Sequence, residues 1–155
     1  MARLMALDVG KVRIGIAVSD ASGFLASPYT TLRVPRDEQQ LWVMLQQLIK
    51  ETDTEGLIIG LPISLDGQLH SQAEWVQAFT ERLRQHISLP ITFCDERLST
   101  VEAQRLLMQR DQYEGGDRRS PSHKRRSQHK KGRRAQEIDA LAAVVFLQEY
   151  LDSNR

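Results

Sequence analysis

Apolar positions change their spacing along the chain, and those changes divide it into elements. Residues 3–8 (RLMALD) and 13–19 (RIGIAVS) are short apolar runs, the second rich in β-formers, with the glycine-bearing stretch VGKV between them. This pattern predicts a β-hairpin. A third extended run reaches from about Phe24 to Val34, introduced by Ser22-Gly23 and closed by Pro35. Three consecutive strands, an antiparallel meander, are therefore expected to open the chain.

Helical spacing begins at Asp37. Leu41, Met44, Leu45, Leu48 and Ile49 fall on one face, and Asp37 stands as N-cap three residues before Gln40, which predicts a helix to about Thr52. Gly56 then leads into LIIGLP, an almost wholly apolar stretch of the kind found in parallel strands covered on both faces. Ser71 and Glu74 form a capping box for a helix with the stripe Ala73, Val76, Phe79, Leu83 and Ile87. Pro90 separates it from a further strand, ITFC.

A second capping box, Ser99 with Glu102, opens a helix to about Arg110 and puts Glu96 at a strand-to-helix junction. From Gln112 to Arg134 there is no periodicity, and Gly115, Gly116 and Pro121 interrupt the segment. A loop of that length is expected to be mobile without a partner. A last helix is expected from about Ala135 to Leu151. The fold class is α/β: a five-stranded mixed sheet, three antiparallel strands then two parallel ones, flanked by helices in a single domain.

Composition narrows the possibilities. A chain of 155 residues with 41% hydrophobic content can bury one core without staples. The apolar runs fall well short of the ~20 residues a membrane span needs. The opening MARLMALDVG meets an acid and a glycine before any signal-peptide core, so export is not expected. Cys94 is the only cysteine, which excludes an intramolecular disulfide and a cysteine zinc cluster and fits a reducing cytoplasm.

The formal charge of +1 conceals an asymmetry. Residues 118–134 (RRSPSHKRRSQHKKGRR) hold nine Lys/Arg and no acid, leaving twelve bases against twenty acids elsewhere. The bases are Arg118, Arg119, Lys124, Arg125, Arg126, Lys130, Lys131, Arg133 and Arg134. Polyanions respond to local charge, so this segment is a candidate nucleic-acid contact through counterion release, or else a solvated loop.

Three acids carry the candidate chemistry. Asp139 has Ala142, Ala143 and Phe146 as helical neighbours, and an ionised carboxylate on such a face costs several kcal/mol unless a metal or another partner compensates it. Asp8 ends the first apolar strand before Val9-Gly10, and Glu96 ends another strand. Each taken alone reads more simply as a surface, turn or junction acid. Together they gain weight, because ligands in open α/β sheets gather at the carboxyl ends of parallel strands.

An all-oxygen set without an essential histidine suits Mg²⁺ or Mn²⁺, and a pair of such ions could activate water for in-line attack without a protein nucleophile. Arg13 and Arg97 flank the acids and could grip a phosphate or pair with a neighbouring carboxylate. No GxSxG, Walker A or CxxC pattern occurs, and the four histidines lack ligand spacing.

The ordered motifs ALDVGKVRIGIAVSD, IIGLP with LDGQ, CDERLST and EIDALAAVVFLQ resemble the YqgF family, whose members are described as candidate Holliday junction resolvases and candidate pre-16S rRNA nucleases. The resemblance runs from the first strand to the last helix. It implies a ribonuclease H-like fold, a cytoplasmic location and maturation of the 5′ end of 16S rRNA, free or in ribosomal precursor particles, with Asp8, Glu96 and Asp139 as the catalytic, metal-holding acids. Pre-rRNA is favoured over a four-way DNA junction as the partner, and the basic stretch 112–134 is longer than the resemblance implies.

Two rival readings are compatible with the same residues. A glycine-bearing hairpin after Asp8 is similar to the phosphate-binding turn of actin-like ATPases, but those need two lobes. A non-catalytic RNA- or ribosome-binding module would use the acids for folding and the basic loop for contacts.

Overall fold

The computed structural model describes residues 3–62, 71–95 and 126–154, with side chains in the last helix described from Asp139 onward. Strands β1 (Leu4–Val9), β2 (Arg13–Ser19) and β3 (Ala26–Arg33) come first, then helix α1 (Glu38–Glu51), strand β4 (Gly56–Leu61), helix α2 (Ser71–Arg84), strand β5 (Ile91–Asp95) and helix α3 (Arg126–Ser153).

The sheet order is β3-β2-β1-β4-β5. β1 pairs antiparallel with β2 and β2 with β3, whereas β4 runs parallel to both β1 and β5. The expected meander and parallel pair are both present. Every residue of β4 is buried, as its apolar run demands of a strand covered on two faces. Pro28 is accommodated because β3 is an edge strand, and the register shifts beside its partner Ala17.

Alternation along the strands sorts side chains into two cores. Met5, Leu7, Val9, Ile14 and Ile16 pack on one face with Leu41, Trp42 and Leu45 of α1 and Val76, Phe79 and Leu83 of α2. Ala6, Ala17 and Ile58 pack on the other face with Ala143, Phe146 and Leu147 of α3. The α3 side is built from smaller sheet residues, which lets that helix come close.

Asp37 caps α1 by accepting a hydrogen bond from the Gln39 amide at 3.0 Å. The buried face of α1 includes Trp42, outside the expected stripe, while Met44 is only half-buried. Ile87 lies past the end of α2 yet stays buried, its amide bonded to the Leu83 carbonyl at 3.1 Å.

The last helix begins at Arg126 instead of Ala135, so residues 126–134, expected to be loop, are helical. Apolar periodicity marks only a packed face, whereas Arg, Lys and Gln favour helix by intrinsic propensity. The helix expected over 99–110 and the remaining basic stretch, 112–125, lie outside the described residues.

Candidate active site

The site grows from the register of β1 and β2. Asp8 stands opposite Gly15, and Ala6 stands opposite Ala17. Ala6 and Ala17 face α3 while Leu7 and Val9 face α1 and α2, so the period-2 pleat places Asp8, Gly15 and Arg13 on the α3 side of the sheet.

Asp139 reaches that place from above. Its backbone rests on Gly15 so closely that a Cβ there would run into the Asp139 carbonyl and stand 2.7 Å from the Ala140 nitrogen. Only glycine leaves room for this crossing. Ala142, Ala143 and Phe146, the residues three, four and seven positions on, are buried and fix the rotation of α3. The carboxylate at the first position of this face thus comes down beside the strand that pairs with Asp8.

Arg13 completes the described part. Its Nε donates to Asp139 Oδ2 at 3.0 Å, with the arginine side chain 36% and the aspartate side chain 28% exposed. The neighbouring turn is tight: the Gly10 amide donates to the Arg13 carbonyl at 2.9 Å, and a Cβ on Gly10 would lie 2.7 Å from that oxygen. This turn holds the start of β2 beside the end of β1.

Of the residues singled out from the sequence, Arg13 and Asp139 pair directly, and Asp8 stands on the same face of the sheet, opposite the Gly15 on which the Asp139 backbone rests. Glu96, Arg97, Arg118, Arg119, Lys124 and Arg125 lie outside the described residues; Glu96 directly follows Asp95, the last residue of β5. Arg126, Lys130, Lys131, Arg133 and Arg134 lie on α3 ahead of Asp139. At the α-helical rise their backbones stand from about 8 Å (Arg134) to about 20 Å (Arg126) along the axis from Asp139. Gly15 is absent from the residues that the sequence pattern singles out. Its signal is a lone glycine inside a strand pattern, which marks close backbone approach.

Among the described residues no group of three or more His, Cys, Asp or Glu could hold a metal ion. Two carboxylates on one face, half-buried and made only of oxygen donors, fit a Mg²⁺- or Mn²⁺-type cation that keeps waters and takes further oxygens from a substrate phosphate. The third acid of the expected set is Glu96.

The sheet order β3-β2-β1-β4-β5 with a long helix crossing the antiparallel half is that of a ribonuclease H-like, RuvC-like fold. The RuvC of Thermus thermophilus in complex with Holliday junction substrate superposes with a TM-score of 0.54 at 12% identity, covering 99% of this chain and 96% of that one. A second Thermus thermophilus RuvC structure gives a TM-score of 0.51 at 11% identity, over 98% and 95% of the two chains. These similarities establish the fold.

The chain belongs to the RuvX family, described as Holliday junction resolvase, whose model matches residues 2–124. A relative from Roseiflexus sp. is 40% identical over 154 residues, covering 99% of this chain and 96% of that protein. A relative from Thermoanaerobacter pseudethanolicus is 37% identical over 153 residues, covering 99% and 98%. Both bear the name "Putative pre-16S rRNA nuclease". The family match includes Asp8 and Glu96, and these near-full-length relatives extend the similarity through the helix that carries Asp139.

Proposed function

We propose that this protein is a divalent-metal-dependent nuclease that hydrolyses phosphodiester bonds in the 5′-end maturation of pre-16S rRNA in the cytoplasm, acting on RNA alone or within ribosomal precursor particles. The observation that supports this reading is the placement of the Asp139 backbone on Gly15, the cross-strand partner of Asp8. Two carboxylates from distant parts of the sequence share one face of the sheet, at a close approach only glycine permits. The choice of RNA is supported by the names of the relatives.

Asp8, Glu96 and Asp139 would hold Mg²⁺ or Mn²⁺, two ions in the full set. Bound there, such ions would supply Lewis acidity to activate a water for attack on phosphorus and charge to stabilise the leaving oxygen. The chain's own residues do the rest. Arg13 fixes the Asp139 carboxylate through one oxygen and places a permanent positive charge where a phosphate arrives. Arg97, next to Glu96 in the sequence, would offer a second positive charge to the phosphate. The basic residues from Arg118 to Arg134 hold the backbone by charge, and five of them ride on the helix that carries Asp139, which fixes their distance from the acids.

A second reading, resolution of four-way DNA junctions, is favoured by the family description and the RuvC-like fold. One experiment separates the two. Purified protein is given precursor 16S rRNA and a four-way DNA junction with Mg²⁺ or Mn²⁺, with Asp8→Asn as control. Site-specific cleavage of the RNA that Asp8→Asn abolishes is the expected result. Cleavage of the junction alone would transfer the assignment to DNA. Undiminished cleavage by both Asp8→Asn and Asp139→Asn would overturn the site.

A further inference from the structure

A cavity of about 330 Å³ opens between the β1–β2 turn and α2, lined among the described residues by Val9, Gly10, Lys11, Ser71, Gln72 and Trp75. We infer that it is a stacking subsite for one unpaired base of the nucleic-acid substrate, with Trp75 as the platform and Lys11 as the contact to the adjoining phosphate. This inference rests on the nuclease reading above and adds to it a preference for substrates unpaired near the cleaved bond.

Position is the first argument. Val9 directly follows Asp8, and the pleat sends the two side chains to opposite faces of the same strand end. The acid opens on the α3 side and the cavity on the α2 side, with the tight turn from Gly10 to Arg13 between them. A polynucleotide crossing the carboxyl end of β1 lies over both.

The second argument is the pairing of groups. The Lys11 ammonium stands 5.9 Å from the centre of the Trp75 ring. Trp75 is half-buried and is backed by Phe79, ring centres 6.0 Å apart and planes 24° from parallel, so its orientation is set before any ligand arrives. Lys11 is exposed and sits in a turn, so it can yield the ring face to a base and move to a phosphate. An aromatic platform beside a cation is the combination by which proteins hold single strands without reading their sequence. Ser71 and Gln72 add polar groups to the cavity wall. A base inside a duplex is already stacked and cannot enter.

The sequence places a second tryptophan at position 42, but it is only 3% exposed, so a ligand reaching a tryptophan ring reaches Trp75. The test uses the full chain in EDTA, where binding is read without cleavage. A short unstructured RNA strand, the same strand in a duplex, and an abasic strand of equal length are titrated by tryptophan fluorescence and by anisotropy. The unpaired strand is expected to quench emission, the duplex and the abasic strand to leave it unchanged.

Trp75→Leu, which keeps apolar packing, is expected to abolish the quench and weaken single-strand binding roughly ten-fold, with Trp75→Phe restoring most of the affinity. Lys11→Met is expected to weaken the unpaired and abasic strands alike and to reduce the salt dependence of both. A folded Trp75→Leu protein that binds the unpaired strand as tightly as the parent, or equal quenching by the abasic strand, would overturn the subsite. Cleavage with no Trp75 dependence refutes the subsite alone, and Trp75-dependent binding without cleavage under any metal refutes the nuclease reading alone.

Discussion

The backbone of Asp139 lies directly on Gly15, the cross-strand partner of Asp8, and this single crossing sets the spacing between the two acids. Replacing glycine within a strand ordinarily stabilises a protein slightly by restricting its unfolded chain. At Gly15 the sign reverses, because the added methyl meets backbone, which cannot rotate away. Gly15→Ala is expected to cost about 1–3 kcal/mol or more and to push α3 off the sheet. Urea denaturation together with an activity assay checks both effects. An unchanged midpoint with full activity would contradict the crossing.

Asp8→Asn and Asp139→Asn should each abolish metal-dependent cleavage while leaving the fold intact. Asp139 already pairs with Arg13, a partly exposed ion pair worth about 0–1 kcal/mol. The melting temperature in EDTA is therefore expected to change little, while the stabilisation that Mg²⁺ or Mn²⁺ gives the parent is expected to disappear. Thermal melts with and without metal measure this independently of catalysis.

Arg13 and Asp139 form a partly exposed ion pair, a class that contributes about 0–1 kcal/mol to stability. Arg13→Gln should therefore melt close to the parent. Its activity should fall by more than about ten-fold, because the variant neither orients the Asp139 carboxylate nor offers a charge to the phosphate. Parallel melting and kinetic measurements would expose a purely structural role as equal decreases in both.

The basic segment calls for substitution where it is helical. Deleting 126–134 would remove the first turns of α3, whereas changing Arg126, Lys130, Lys131, Arg133 and Arg134 to Gln keeps strong helix formers in place. The variant should bind single-stranded nucleic acid more weakly, with the slope of log affinity against log salt reduced by roughly 0.7 for each phosphate no longer neutralised. An unchanged slope would show that the segment is a bystander.

Asp20 organises the β2–β3 turn, accepting from the Phe24 amide at 2.8 Å, the Leu25 amide at 3.2 Å and the Ser22 hydroxyl at 2.8 Å. The Phe24 hydrogen bond first, then those of Ser22 and Leu25, holds its carboxyl below the ordinary value of 3.8. A depressed carboxylate contributes stability above its unfolded value, and that contribution is lost as pH falls through the folded one. Stability of the parent should therefore decline below about pH 4 more steeply than that of Asp20→Asn, as acid-titrated melts would show.

The order of the elements is legible in the chain alone, because strands and helices differ in the period at which apolar side chains must recur to reach a core. So are the N-cap at Asp37, the fully buried β4, and the small, apolar face beside Asp139. Asp8 and Asp139 are weaker signals, each compatible alone with a turn or surface acid, and they gain weight only when the sheet is expected to bring strand ends and the covering helix together. Residues 126–134 give no such signal, because a charged helix shows no apolar stripe.

Which residues meet is settled by the fold in three dimensions. That Gly15 is the floor under Asp139, that Arg13 holds that carboxylate, and that Trp75 faces Lys11 across a cavity follow from strand register and helix crossing. These join residues as far apart as 13 and 139, and no local pattern in the chain carries information about such a meeting.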